Sequence, residues 1–213
     1  MKGDYHSSRL AEDPRRGAVW RALWRCFFRH RIGPGETVLD LGAGYGDFIN
    51  AVVARRRIAV DLWPGMADHV APGVEPIVGP VTELDSIETG VVDYAFASNL
   101  VEHLPQPVFV DALAALRRVL KPGGTLTLLQ PNYRFAHREY FDDYTHVAVY
   151  SHISLADLLR AHGWDVLEVR PRFLPLTVKS RLPVWTPLIA AYLASPFKPL
   201  GKQMLLVARP AGR

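Results

Sequence analysis

The apolar positions of this chain change period along its length. Between Ala18 and His30, Val19, Leu23 and Phe27 recur every four residues with Trp20 and Trp24 beside them, which predicts an amphipathic helix. Arg21, Arg25 and Arg29 form a second, basic stripe on it, and Gly33-Pro34-Gly35 ends the segment. From there short apolar runs alternate with helical stretches. Strands are expected at Thr37–Leu41, Arg57–Leu62, Glu75–Val78, Val91–Ala97, Thr125–Gln130, Trp164–Val169 and Gln203–Ala208. Helices are expected at Asp47–Arg55, Pro64–Val70, Val108–Leu120 and Ser154–Ala161, the third stopped by Lys121-Pro122-Gly123-Gly124. This alternation implies an α/β fold with a seven-stranded, mostly parallel sheet and helices on both faces. In such sheets ligands sit beyond the carboxyl ends of the strands.

Composition narrows the class. With 213 residues, 49% apolar and 22% charged, the chain reads as one globular domain with appendages. The expected division is a basic helical lid over residues 1–34 and a main domain over 35–213, with an apolar, basic insertion at 174–200 before the last strand. Cys26 is the only cysteine, which excludes an intramolecular disulfide and a cysteine-built zinc site. The first residues lack an apolar signal region and no run of about 18 apolar residues occurs, so a cytoplasmic protein is expected.

Charge divides the chain more sharply than its net +4 suggests. Residues 1–31 carry a balance of +5, residues 32–168 of −9, and residues 169–213 hold eight bases and no acid. Basic ends around an acidic middle suit an anionic partner: a phosphate, a lipid headgroup or a nucleic acid. They also fit plain solvated faces.

The strongest chemical signal is Val38-Leu39-Asp40-Leu41-Gly42-Ala43-Gly44-Tyr45-Gly46-Asp47-Phe48. Three glycines between a strand and a helix let a ligand approach the backbone closely. The spacing is GxGxG rather than GxGxxG, and Asp40 precedes the first glycine by two residues. A carboxylate there would repel a pyrophosphate and suits a cationic ligand. Asp61 closes the next strand, where a carboxylate can bind both ribose hydroxyls or, alternatively, cap the following helix.

Together with DYAFASNLVEHL, LKPGGTLTLLQPN and the segment Gly79–Leu84, these motifs resemble class I S-adenosylmethionine-dependent methyltransferases of the small-molecule type, over roughly residues 35–170. The resemblance implies a Rossmann-like fold and S-adenosyl-L-methionine as cofactor, with S-adenosyl-L-homocysteine as product. It implies that Gly42, Ala43, Gly44 and Gly46 line the cofactor. Asp40 would support the loop and the methionyl ammonium, Asp61 with Leu62 the ribose side, and Asn99 the methionine moiety. Where the family often has an adenine-binding acid, this sequence has Pro80, so adenine recognition falls to the backbone around Val81 or to Thr82.

Methyl transfer from a sulfonium is driven largely by alignment, and a base is needed only for a protonated acceptor such as a hydroxyl. His103 follows the fourth strand and either reaches the reaction centre or braces its loop. In Tyr140–His146, His146 is the leading base candidate because its ordinary pKa lies near neutrality, with Asp142 or Asp143 to orient it. Asp and His there could also ligate a divalent ion, but the spacing shows no clear ligand geometry and no metal is assigned.

The Pro-rich stretch 174–200 predicts a short apolar helix within Trp185–Ala194 starting near Pro187. With the first helix it would form a basic, apolar lid. The expected acceptor is a small amphipathic or anionic molecule, lipid-linked, sugar-like, phosphorylated or quinone-like, with peripheral contact to an anionic membrane face as a further expectation. RNA or DNA methylation is the alternative, and it is disfavoured: Gln130-Pro131-Asn132-Tyr133 lacks the NPPY-type pattern and Cys26 is far from any such site. A non-catalytic cofactor-binding subunit is the remaining reading.

Overall fold

The computed structural model describes residues 13–175 and 185–212. Its seven strands are β1 (Thr37–Leu41), β2 (Arg56–Asp61), β3 (Val74–Val78), β4 (Val92–Ser98), β5 (Leu120–Pro131), β6 (Trp164–Pro175) and β7 (Gly201–Pro210). They form one sheet in the order β3-β2-β1-β4-β5-β7-β6. All pairs from β3 to β5 are parallel, whereas β7 runs antiparallel to β5 and β6. The helices are α1 (Pro14–Cys26), α2 (Asp47–Ala51), α3 (Met66–His69), α4 (Gln106–Val119), α5 (Tyr133–Ala136), α6 (His152–Ala161) and α7 (Thr186–Ala194).

Alternation along the strands builds a core on each face. Leu39 and Leu41 of β1 join Phe109 and Leu113 of α4 and Leu155 of α6. Val38, next to Leu39 and on the other face, joins Leu23 of α1, Phe28, and Phe48 of α2. Phe96 of β4 anchors this second face: its ring lies 3.9 Å from that of Phe48 and 5.6 Å from that of Trp20. The helix predicted from the Val19-Leu23-Phe27 period is thus packed onto the sheet, with Arg21, Arg25 and Arg29 exposed. It also packs against α7.

Most boundaries lie a few residues from expectation: α1 spans Pro14–Cys26 rather than Ala18–His30, and three further differences have local reasons. α2 stops at Ala51 rather than Arg55, because Val52 turns extended (ψ 137°) and the Arg55 and Arg56 amides donate to the Glu36 carbonyl. β5 begins at Leu120, which pairs with Val92; the register then shifts so that Tyr94 pairs with Thr125, and Lys121–Gly124 forms an irregularity within the strand instead of a stop before it. β6 runs on to Pro175, so Leu174 pairs with Gln203 instead of opening the insertion. α5 and the 3-10 turn Tyr140–Asp142 were not expected, being too short to show a period. Residues 1–12 and 176–184, which hold part of each basic end, lie outside the described residues. Among the described residues no helix is long and apolar enough to cross a membrane.

Candidate active site

The glycine loop leaves β1 with Gly42, Gly44 and Gly46 at φ +65°, +53° and +68°, the left-handed region that side chains resist. A Cβ on Gly42 would stand 2.8 Å from Leu100 Cδ1. The Gly42 and Ala43 amides donate to the Val60 carbonyl at 2.8 and 3.2 Å, pinning the loop across the end of β2. Asp61 completes this link. Its carboxylate accepts from the Gly44 amide at 2.7 Å and from the Trp63 amide at 2.8 Å. Asp61 does not cap α3, whose N-cap is Gly65.

A cleft of about 400 Å³ crosses the carboxyl ends of three adjacent strands. It runs from Asp61 after β2, over the glycine loop after β1, to Asn99 and His103 after β4. Trp20 and Arg16 of α1 line it too, the latter paired with Asp47 at 3.2 Å. Asp40 is buried below the loop. Burial, and next the charge of Asp61, push its carboxyl well above the ordinary carboxylate range. A bound cation would reverse that balance by favouring the ionised form. Asn99 takes a left-handed conformation, φ +49°, with its amide on the Leu129 carbonyl and its Oδ1 accepting from Gln203 Nε2 at 2.9 Å. Two bonds from the sheet hold that strained residue at the cleft wall.

Beyond Asn99 the 3-10 turn Val101–His103 carries two ionisable groups. The Glu102 carbonyl accepts from the Val147 and Ala148 amides at 2.9 and 3.0 Å, so the 140s segment is fastened to this turn. That contact sets up a chain of hydrogen bonds. Thr145 Oγ1 donates to Asp143 Oδ1 at 2.6 Å, and His103 Nδ1 lies 2.9 Å from the same hydroxyl. A hydroxyl that gives its proton to a carboxylate must accept from the imidazole. This network assigns the His103 proton to Nδ1 and its lone pair to Nε2. Burial, then the neighbouring His146, lowers the His103 pKa. Burial alone would raise Asp143, but the Thr145 hydroxyl and amide outweigh it and hold the carboxyl below its ordinary value.

The structure therefore brings most of the sequence-derived residues to one cleft. Asp40, Gly42, Ala43, Gly44, Asp61, Asn99 and His103 line it, with Gly46 at the start of α2. His146 lies behind His103, ring centroids 4.8 Å apart, its Nδ1 donating to the Tyr140 carbonyl at 2.6 Å. Asp143 bonds Thr145, through which it addresses His103. Leu62 is exposed and Val81 is buried in the core, and neither side chain lines the cleft. Thr145, Trp20 and Arg16 were missed as cleft residues. For Thr145 the signal was an Asp two positions earlier, an arrangement that favours a local side-chain bond. For the other two no local signal existed.

The comparisons with known proteins fall in line with this geometry. Residues 12–169 match the sequence family described as a methyltransferase domain, which is more than half of the chain. The chain belongs to this methyltransferase family. An uncharacterized 37.1 kDa protein of a Streptomyces fradiae transposon is 32% identical to it over 111 residues, covering 47% of this chain and 31% of that protein. The methyltransferase thus spans about a third of that relative's length. Among solved structures, a chain of the Haloferax volcanii complex between the Trm112 methyltransferase activator and a methyltransferase superposes with a TM-score of 0.71 at 18% identity, all of both chains being covered. An S-adenosylmethionine-dependent methyltransferase from Archaeoglobus fulgidus gives 0.66 at 19% identity, covering 91% of this chain and 93% of that one. Both share the fold of the methyltransferase described here.

Proposed function

We propose that this methyltransferase uses S-adenosylmethionine to methylate a hydroxyl of a small amphipathic or anionic acceptor. The observation that carries the reading is the hydrogen-bond chain from His103 through Thr145 to Asp143 at one end of the cleft. Opposite it, Asp61 suits the ribose hydroxyls and buried Asp40 suits the methionyl ammonium. The transferable methyl would lie between these ends.

In this reading His103 Nε2 takes the acceptor's proton as its oxygen attacks the methyl carbon. The carbon–sulfur bond breaks with its electron pair returning to sulfur, so the sulfonium becomes a neutral thioether. Asp143 stays ionised and stabilises the imidazolium through Thr145. Its depressed pKa fits that part. His146 holds the far side of His103.

The acceptor class rests on what surrounds the cleft. Arg16, paired with Asp47, brings a guanidinium to the cleft and Trp20 an apolar face, while α7, packed on α1, exposes Leu188 and its N-cap residue Trp185. An amphipathic or lipid-linked molecule would use both kinds of surface, and an anionic membrane face could present it.

The test uses methyl-labelled S-adenosylmethionine, the purified protein and an extract of the source cells. Label in the organic or aqueous small-molecule fraction supports the proposal, the organic fraction pointing to a lipid-linked acceptor. Nuclease-sensitive label would replace it with nucleic-acid methylation. Cofactor binding with no label in any fraction would replace it with an accessory subunit.

A further inference from the structure

Glu102 is the most buried ionisable side chain beside the cleft, 1% exposed, and neither carboxylate oxygen has a hydrogen-bond partner among the described residues. A buried carboxylate without a partner carries a large desolvation cost, and proteins retain such a group where a ligand answers it. Glu102 is not isolated. One ligand atom each from Glu102, His103 and His146 lies within 4.8 Å of the others.

The two imidazoles are held as metal-binding histidines are held. Such a histidine gives its second ring N–H to a carbonyl or a carboxylate-linked group, which fixes the tautomer and aims the lone pair. His146 Nδ1 donates to the Tyr140 carbonyl at 2.6 Å, and His103 Nδ1 donates to Thr145 Oγ1, itself bonded to Asp143. Both tautomers put the lone pair on Nε2. Two imidazoles and one carboxylate form a nitrogen-rich set, suited to Zn²⁺ or another first-row divalent ion and poorly suited to Mg²⁺. Bound tetrahedral ligands would stand about 3.3 Å apart, so loading draws the three groups together by up to about 1.5 Å.

We propose that Glu102, His103 and His146 form a divalent transition-metal site, best filled by Zn²⁺, at the acceptor end of the cleft. Three protein ligands leave one coordination position, and His103 is the ligand that lines the cleft. That position takes an oxygen of the acceptor, a role resting on the proposed methyl transfer, whereas the ion site itself does not depend on it. An oxygen on the ion loses its proton at a lower pH. With such an ion bound, the His103 lone pair would be on the metal, so the ion would replace the free imidazole as the group that lets the acceptor hydroxyl ionise; the proton would go to solvent as the carbon–oxygen bond forms and the carbon–sulfur bond breaks.

The experiment uses the full chain without an affinity tag, stripped by a chelator and titrated with Zn²⁺ against a chromogenic chelator. One tight Zn²⁺ per chain is expected. Glu102→Gln and His146→Ala should each weaken it at least about tenfold, while Asp142→Asn, on an exposed neighbouring residue, leaves it unchanged. Absence of stoichiometric Zn²⁺, or variants that melt like the parent and bind Zn²⁺ equally well, would overturn the site. Where a variant fails to fold, Co²⁺ loading of the parent decides. Intense visible bands of a four-coordinate ion support the site, and the weak spectrum of hydrated Co²⁺ removes it. S-adenosylhomocysteine binding is measured on the same samples. Its absence would sink the proposed methyl transfer while leaving the Zn²⁺ result to stand by itself.

Discussion

Thr145 Oγ1 lies 2.9 Å from His103 Nδ1, and that one contact sets which nitrogen of His103 faces a substrate. The hydroxyl also bonds Asp143 at 2.6 Å, so it reads the imidazole as a donor and transmits the carboxylate's charge to it.

Replacing Thr145 by Val should therefore lower kcat about 10- to 100-fold while leaving KM for the cofactor nearly unchanged, because the base loses its tautomer control and not its place. Thr145→Ser keeps the hydroxyl and should restore most of the rate. Equal loss in the Ser and Val variants would show that the methyl group and packing matter, and the hydrogen-bond chain would be dismissed. Steady-state kinetics on the labelled cofactor gives both numbers.

Asp61 accepts from the Gly44 and Trp63 amides in the ligand-free protein and is the group placed for the ribose. Asp61→Asn removes the charge from these bonds, a change worth about 1.5–3 kcal/mol for charge-assisted pairs. S-adenosylhomocysteine binding by calorimetry should weaken about 10- to 100-fold. An unchanged affinity would remove Asp61 from the cofactor site.

The elevated pKa of Asp40 makes cofactor binding depend on pH. Burial and the Asp61 charge keep the empty site protonated above the ordinary carboxylate range. A cation beside Asp40 favours its ionised form, so binding releases a proton and affinity should rise with pH, up to about tenfold per unit, until Asp40 is ionised in the free protein too. The same shift acts on stability with the opposite trend. A carboxyl whose folded pKa is raised gives its contribution below the ordinary value of 3.8 and loses it as pH climbs to the folded pKa. Calorimetry in buffers of different ionisation enthalpy counts the released proton. A count of zero at every pH where binding is measurable would take Asp40 out of ligand binding.

Gly42→Ala meets two penalties, a left-handed backbone at φ +65° and a Cβ 2.8 Å from Leu100 Cδ1. The backbone cost alone is about 1–2 kcal/mol. A thermal melt should fall by about 2–8 °C for a domain of this size. Pairing the change with Leu100→Ala should relieve the contact but not the backbone, so the melt should recover only in part. Full recovery would show that the backbone conformation carries no cost here.

Much of this protein was decided within short stretches of sequence. Strand period, helix period and turn residues are local properties, so all seven strands and the α/β class were legible, β1 to the residue. The glycine loop, Asp40 and Asp61 were legible for the same reason, since a strand end, a tight turn and an acid are written in consecutive residues. What lies between elements was not. Val52 ends α2 because Glu36, on a different segment, takes the Arg55 and Arg56 amides. His103 takes the cleft position, with His146 behind it, because the Glu102 carbonyl ties down residues 147 and 148, distant in sequence, placing Thr145 against His103. Trp20 and Arg16 reach the cleft only through packing of α1 on Phe48 and Phe96. The alternation of side chains named the surfaces of each element. Which surfaces met, and which polar groups were left facing one another, was set by burial of both sheet faces at once, and only the folded chain carries that information.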